Sequence, residues 1–273
     1  MSTPSEEMAG TQRNYEDILR LQIEEGLGEL ERPASGQFLS ALACGLNLSL
    51  GVFSMFVMAT QAGAVFGDFV TQLLKGIVYT FGFVFVIIAQ TELFTEHTSL
   101  ALIPVLDGRS SLGKLGQLWT LVYIGNLLGS SLFAVLGFYA GLSLHLVDLH
   151  AFVSVAMTFI DLSPMAVFLG AVLAGWLMAL LAWILTSVRD TISRIAVIII
   201  VTFLIGFGHL PHCVAASAEL VAGMLAGAPI SALEFVRFEA ITTIGNVVGG
   251  VVFVGLLNYS FAVRGTDDMD VEV

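Results

Sequence analysis

The sequence predicts an all-α membrane protein in which six transmembrane helices form a 3+3 inverted repeat, with the second and fifth helices broken. Three observations lead to this fold. The 273-residue chain is 57% hydrophobic and only 12% charged, whereas a soluble domain carries about 25% charged residues. Its apolar segments are long and continuous, which favours helices over transmembrane strands. Finally, one short motif recurs in both halves of the chain.

The two ends of the chain are polar. Residues 1–35 hold eight acidic residues against Arg13, Arg20 and Arg32. Apolar residues within this segment recur near helical spacing and stop before Pro33, which predicts an amphipathic cytoplasmic helix. They are Tyr15, Ile18, Leu19, Ile23, Leu27 and Leu30. We expect this helix to serve packing or an interface, with gating as the alternative. Residues 265–273 predict an acidic cytoplasmic tail.

Six apolar spans lie between these ends and define a channel domain of residues 36–264. They cover residues 36–60, 72–106, 116–144, 164–187, 193–228 and 240–263. A helix crosses the hydrocarbon core with about 20 residues. The second and fifth spans, roughly 35 residues each, are too long for one continuous helix and too short for two crossings. Each has a polar interruption, so each is predicted to be one crossing made of two half-helices.

The positions of lysine and arginine predict the orientation. With the N-terminus inside, the inner segments hold eight of the ten basic residues, and the outer segments hold only Lys75 and Arg237. Basic residues favour the cytoplasmic side, so we expect a multi-pass protein of the cell membrane with both termini inside. The net charge of −12 argues against a nucleic-acid partner. Cys44 and Cys213 fall in apolar spans and are expected to be buried free thiols.

An internal repeat relates the two halves. "IGNLLGSSLF" at residues 124–133 recurs as "IGNVVGGVVF" at residues 244–253, an offset of 120, in spans that run in opposite directions. The same offset places "TELFTEHT" of the second span on "PHCVAASA" of the fifth. An inverted repeat brings such breaks together near the membrane midplane, where the substrate path lies. Asn126 and Asn246 are expected to brace the broken helices.

The breaks carry the candidate pore residues. Pro211 ends the helix before it, and the half-helix that begins near His212 presents backbone N–H groups suited to an anion or an electron-rich oxygen. A neutral imidazole donates one hydrogen bond, accepts another and passes protons near neutral pH. His212 is therefore predicted to handle the proton at the centre of the path. Thr95 is predicted to bind His212 across the repeat axis.

The other polar or apolar residues at the breaks each allow more than one interpretation. Leu93 and Phe94 are either core packing or a constriction that strips water from the permeant. Glu92 and Glu96 are protonated, paired or placed at a wet end of the path. His209 either lines the path or makes a structural contact.

Other kinds of site lack support in the sequence. No HExxH or CxxC spacing occurs, so neither a metal nor a cofactor is predicted. No nucleophile–base pair is visible, which argues against an enzyme. His145, Asp148 and His150 are expected in a solvated outer loop.

Four stretches in order along residues 36–264 resemble the formate/nitrite transporter family, as a divergent branch. They are "TELFTEHT", "YIGNLLGSSLF", "PHCVAAS" and "TTIGNVVGGVVFVGLL". The resemblance implies an aquaporin-like fold, a homopentamer with a pore in each protomer, and passage of formate, nitrite or hydrosulfide. It implies that His212 is the central histidine, that Leu93, Phe94 and Thr95 belong to the broken second helix, and that Leu93 lies at a constriction.

The chain also departs from the family pattern. The family's lysine shortly before the fourth helix is Thr158 here, and the asparagine of the fourth helix is Ala174. Glu96 replaces a small or polar residue, and "GHLP" stands where an acidic residue is common.

Together these features predict a channel or transporter for a small monovalent anion or its conjugate weak acid, proton-linked through His212. A pore for small neutral solutes is the alternative, favoured by the missing lysine and the added glutamate. A membrane scaffold without transport activity is the third possibility.

Overall fold

The fold is all-helical over the part of the chain that the structure describes. This structure is a computed structural model, and it describes residues 13–267, with side chains to residue 263. Its helices are α1 Tyr15–Glu31, α2 Ala34–Gln61, α3 Asp68–Ile88, α4 Phe94–Leu100, α5 Ile103–Leu106, α6 Leu112–Ser143, α7 Leu149–Ile160, α8 Pro164–Ser187, α9 Thr191–Phe207, α10 Cys213–Leu225, α11 Ala232–Gly250 and α12 Leu257–Asp267. Residues 1–12 and 268–273, parts of the predicted terminal segments, lie outside it.

The helices follow the six predicted spans. Within the described residues, α2, α3, α6, α8 and the continuous run 232–263 are each long and apolar enough to cross a membrane by length and composition. The fifth span consists of two shorter apolar helices, α9 with 17 residues and α10 with 13. The second span is interrupted between α3 and α4. Both predicted breaks are therefore present.

Two elements were not anticipated from the sequence. Helix α7 lies in the segment expected to be an outer loop, and it begins where Asp148 accepts a hydrogen bond from the Ala151 amide at 2.7 Å. With 12 residues it is too short to cross a bilayer, and it packs against α10. The second element is a π-helical stretch at Val251–Leu256, which joins α11 to α12. His145 and His150 are exposed, as expected.

Helix α1 lies against the helical bundle. It starts at Asn14, whose side chain accepts a hydrogen bond from the Asp17 amide at 2.8 Å. Its inner face holds the polar side chain of Gln22 as well as apolar residues, and Gln22 donates to the carbonyl of Ala182 in α8 at 3.2 Å. Helix α1 approaches α4 closely at Gly26, since a Cβ there would lie 2.4 Å from the carbonyl oxygen of Leu100. The predicted amphipathic helix is thus a packing helix.

The same close helix contacts occur in both halves. A Cβ at Gly45 of α2 would lie 2.2 Å from the carbonyl oxygen of Asn126 in α6, and one at Gly175 of α8 would lie 2.1 Å from that of Asn246 in α11. Small residues at such crossings let membrane helices touch through their backbones. Gly45 and Gly175 face the asparagines of the two repeat motifs, and the lack of a Cβ at each lets α6 dock on α2 and α11 on α8.

One hydrogen bond joins residues that the repeat makes equivalent. Thr243 donates to the phenolic oxygen of Tyr123 at 2.9 Å, and the two residues are 120 positions apart. Residues related by a two-fold axis meet each other only near that axis. This contact is therefore what a two-fold relation between the halves predicts.

We expect Gly249→Ala to unfold the protein at a lower temperature. The new Cβ would lie 2.1 Å from the carbonyl oxygen of Val172 and 2.6 Å from the amide of Trp176, and these backbone atoms cannot rotate away. Overpacking of this kind costs about 1–3 kcal/mol. Gly116→Ala is the control, since a Cβ there meets nothing within 4 Å. Equal thermal unfolding midpoints in detergent for the two variants would contradict this account of the packing.

Candidate functional site

Both breaks begin with the same backbone turn. Gln90 lies in the turn that follows α3 and His209 in the turn that follows α9, and these residues have φ of +56° and +46°. The next amide, that of Thr91 or Leu210, donates to the carbonyl five residues back at 3.0 or 2.9 Å. This is the Schellman ending of a helix, in which the left-handed position usually holds glycine. Both breaks thus end their first half-helix with the final carbonyls satisfied.

The breaks correspond at an offset of 119, so the predicted offset of 120 is wrong there by one residue. His209 matches Gln90, and His212 matches Leu93, since each of this second pair precedes the first residue of its second half-helix. The physical reason is chain length. The second half has one more residue between the break and the repeat motif, which itself keeps the offset of 120.

Asn126 braces the first break. Its side-chain oxygen accepts the amide proton of Phe94 at 2.8 Å, and its nitrogen donates to the carbonyls of Glu92 and Ala41 at 2.9 and 2.8 Å. It is fully buried. The side chain therefore satisfies backbone groups that the interrupted helix leaves free.

Asn246 does the same at the second break. Its oxygen accepts the amide proton of Cys213 at 3.0 Å, and its nitrogen donates to the carbonyls of Pro211 and Ala171 at 3.0 and 2.8 Å. Pro211, which supplies no amide proton, thus leaves only an acceptor to be satisfied at this point. Each predicted bracing residue lies where the repeat places it.

His212 and Thr95 meet across the two breaks. The His212 Nε2 atom lies 2.7 Å from Thr95 Oγ1, and both side chains are buried. His212 also caps α10, because its Nδ1 accepts the amide proton of Ala215 at 3.3 Å. With Nδ1 acting as acceptor, the neutral ring carries its proton on Nε2 and donates it to the threonine oxygen. The edge of the Phe83 ring packs against the imidazole at 5.3 Å between centroids.

Leu93 and Phe94 are both buried at the start of α4. Phe94 packs against Tyr123 and Trp119 of α6, with centroids 5.0 and 6.3 Å apart. Packing is therefore the interpretation that fits Phe94. Leu93 precedes α4 at the position that His212 occupies before α10, so its side chain remains the candidate for an apolar constriction.

Glu92 belongs to an ion-pair cluster with the end of α1. Arg32 lies 2.6 Å from Glu92 and 3.2 Å from Glu29, and His97 approaches Glu29 at 4.0 Å. Glu29, Glu92 and His97 are close enough together to hold a cation. Arg32 already supplies a positive charge at that place. Among the alternatives for Glu92, the paired one fits.

Glu96 lines a cavity of about 330 Å³, which we call the inner cavity because the charge distribution predicts that this side faces the cytoplasm. Arg13, Glu25 and Arg194 also line it. Burial raises the pKa of the Glu25 carboxyl. Electrostatic interactions with His97 and Arg194 partly offset this rise. Among the alternatives for Glu96, placement at a wet end of the predicted path is the one that this cavity fits.

A cavity of about 520 Å³ lies on the predicted outer side, and we call it the outer cavity. Lys75, Thr158, Asp148 and His150 are among the residues that line it. Arg237 lines a separate depression together with Glu234. Of the two basic residues expected at the outer mouth, only Lys75 faces this cavity.

His209 makes a contact that the sequence did not identify. Its Nε2 lies 2.9 Å from Glu219 Oε2, and its ring packs on Phe159 at 4.2 Å between centroids. Phe159 belongs to α7, which was taken for a loop. The spacing of ten residues between His209 and Glu219 gave no signal, because the turn between α9 and α10 determines which way each side chain points.

Two broken membrane helices, an imidazole–hydroxyl pair where they meet and a cavity on either side of it define a membrane channel or transporter. The family model described as Formate/nitrite transporter matches residues 16–260. The chain belongs to the formate/nitrite transporter family. This is a family of channels and transporters, not of enzymes.

Relatives and solved structures agree with this assignment. The chain is 32% identical to the Inner membrane protein YfdC of Escherichia coli over 87% of its own length and 75% of the relative. It is 30% identical to the Nitrite transporter NirC of Salmonella typhimurium over 81% of each chain. A solved FNT family ion channel matches with a TM-score of 0.80 at 25% identity, covering 90% of this chain and 98% of the other. A pentameric formate channel with formate bound matches in fold, with a TM-score of 0.70 at 23% identity and coverage of 84% and 98%.

We expect Asn246→Asp to destabilise the second break. The carboxylate keeps an acceptor for the Cys213 amide but loses both N–H donors, so the carbonyl of Pro211 loses its side-chain partner and that of Ala171 keeps only its bond within α8. Each buried unsatisfied group costs about 1–3 kcal/mol. Thermal unfolding in detergent measures the effect, and Asn258→Asp, outside both breaks, is the control. If Asn246→Asp and the control unfold at the same midpoint temperature, Asn246 does not brace the second break.

Proposed function

We propose that this protein is a proton-linked channel or transporter for a small monovalent anion and its conjugate weak acid, with formate, nitrite and hydrosulfide as the candidate permeants. The hydrogen bond between His212 and Thr95 is the observation on which the proposal depends. The relatives named as a nitrite transporter and as a formate channel support the kind of substrate.

The mechanism follows from the tautomer of His212. The ring donates its Nε2 proton to Thr95 Oγ1, so the threonine hydroxyl proton remains free to donate to an oxygen of the permeant. Protonating Nδ1 would break the cap that this atom makes with the Ala215 amide. His212 is thus arranged to share the proton it has and to resist taking a second one.

The apolar surroundings favour a neutral permeant. Phe83 packs on the His212 ring and Leu93 lies at the facing break, and both side chains are fully buried. A bare anion loses its hydration in such a passage, which costs far more than moving the uncharged acid. An anion that takes up a proton therefore crosses this stretch most readily.

We also propose that the protein is a homopentamer in the cell membrane with both termini in the cytoplasm. One solved structure with the same fold is described as pentameric. Large apolar side chains are exposed on the long helices, including Leu132, Leu136, Leu169 and Ile200. Contacts with lipid and with neighbouring copies would cover such a surface.

A pore for neutral solutes is the second candidate, favoured by the charges of the outer cavity. Asp68 and Asp148 line this cavity with Lys75, and Thr158 contributes no charge. Two carboxylates against one ammonium make a poor entrance for anions.

We expect His212→Asn to lose the part of the flux that rises at acid pH, by about tenfold or roughly 1.4 kcal/mol in the barrier. Asparagine can still cap α10, so the fold should persist, but it cannot exchange a proton. Uptake into proteoliposomes at two pH values measures the effect, with formate, nitrite, hydrosulfide, acetate and a neutral solute. His145→Asn is the control, since His145 is exposed on the predicted outer side.

Two outcomes of that panel separate the candidates. Unchanged pH-dependent uptake in His212→Asn would contradict the proposal that transport is linked to protons through His212. Passage of the neutral solute without any flux of the acids would replace the proposal with the second candidate.

We expect single cysteines to report the predicted orientation. The native Cys44 and Cys213 are buried free thiols, which gives a low background. Asp161 and Glu31 are both exposed, Asp161 between α7 and α8 and Glu31 at the end of α1. In intact cells a membrane-impermeant maleimide should label Asp161→Cys and reach Glu31→Cys only after permeabilisation. Labelling of Glu31→Cys in intact cells would show that the orientation is opposite to the predicted one.

A further inference from the structure

The second break carries a buried ion pair that the exchange between His212 and Thr95 does not use. His209 Nε2 lies 2.9 Å from Glu219 Oε2, and the two side chains are only 10% and 1% exposed. A carboxylate is costly to bury in a membrane protein, and when present it usually faces a path for ions or protons. A function separate from the exchange between His212 and Thr95 would explain why this pair is buried here.

Two contacts place this pair beside the outer cavity. Phe159, which stacks on His209, directly follows Thr158 of the cavity wall. Gln72, another cavity residue, donates to the carbonyl of Phe207 at 2.8 Å, just before the turn that holds His209. The pair is thus attached to the inner end of the cavity.

A row of side chains on α3 continues from the cavity to His212. Lys75, Tyr79 and Phe83 are spaced four residues apart and so share one helix face. Lys75 lines the cavity, Lys75 and Tyr79 both lie within electrostatic range of Glu219, and Phe83 packs on His212. Eight residues of helix span about 12 Å. The ion pair therefore precedes His212 on a path that enters from the outer cavity.

The protonation state of the pair sets the charge of this section. Lys75 and Glu219 carry opposite charges, so the section is neutral when His209 is neutral and has a charge of +1 when His209 is protonated. Tyr79 of α3 is the other titratable group that faces Glu219. Asp68, Asp148 and His150 stand further out, around the cavity. Protonation of His209 thus changes this section from one with no net charge to one with a positive charge, which attracts an anion.

We propose that His209 and Glu219 form an outer proton-loading site, at which the permeant anion is attracted and protonated before it reaches His212. The inference rests on the proposed function. Glu219 accepts the Nε2 proton of His209, which leaves Nδ1 as the atom that gains and gives up a proton. The Nδ1–H bond breaks as an O–H or S–H bond forms on the anion. The products are the neutral acid and neutral His209, and a proton taken from the outer solution as hydronium then returns to Nδ1, releasing water into the outer cavity.

The test uses His209→Gln and Glu219→Gln in right-side-out membrane vesicles. Glutamine already occupies the left-handed position of the first break as Gln90, so His209→Gln places a tolerated residue in the same backbone conformation. Uptake of labelled formate is measured at one acid and one alkaline outer pH, with the inner pH fixed. Wild type should be faster at the lower pH. In both variants the ratio of the two rates should fall well below the wild-type ratio, to the part that the proton gradient itself supplies.

His145→Gln is the matched control, because His145 is an exposed histidine with φ of +55° on the same predicted side. It should keep the wild-type ratio. A wild-type ratio in both His209→Gln and Glu219→Gln overturns the loading site and leaves the proposed function standing. No uptake of any weak acid by wild type overturns the proposed function, and the loading site with it.

Discussion

The need to satisfy backbone groups inside a membrane is the constraint on which the rest of the structure depends. Each break frees amides and carbonyls that water cannot reach in a bilayer. The amide side chains of Asn126 and Asn246 each bind two of these groups, and each donates a further bond to a carbonyl of the neighbouring intact helix. The asparagines can reach them only because Gly45 and Gly175 let α6 and α11 approach their neighbours at backbone distance. Packing, bracing and the breaks are therefore one arrangement, repeated twice.

Equivalent positions in the two halves share a backbone conformation, but their side chains differ in chemical function. Gln90 and His209 share one conformation, yet only His209 has a carboxylate partner. Leu93 and His212 both precede a half-helix, yet only His212 can donate a proton. The symmetric part of the molecule is thus a scaffold. The features that distinguish one permeant from another lie where the two halves differ.

Much of this was predictable because it depends on length and local pattern. The excess length of two spans and their polar interruptions predicted both breaks, and the places of Thr95 and His212 at these facing breaks predicted their contact. Helix α7 was missed, since its 12 residues are too few for a membrane span and its start lies beside His145, Asp148 and His150, which indicate a solvated loop. The ion pairs of Glu92 with Arg32 and of His209 with Glu219 depend on tertiary packing. No spacing rule could have paired a residue at the end of α1 with one beside α4.

The cap that His212 makes with the Ala215 amide has a consequence for the energy source of transport. One ring nitrogen is committed to the backbone, so the imidazole stays uncharged while a permeant passes. If the permeant is the neutral acid, no net charge crosses the narrowest part of the protein. Flux would then be electroneutral. It would follow the combined gradients of anion and proton and would be indifferent to membrane voltage.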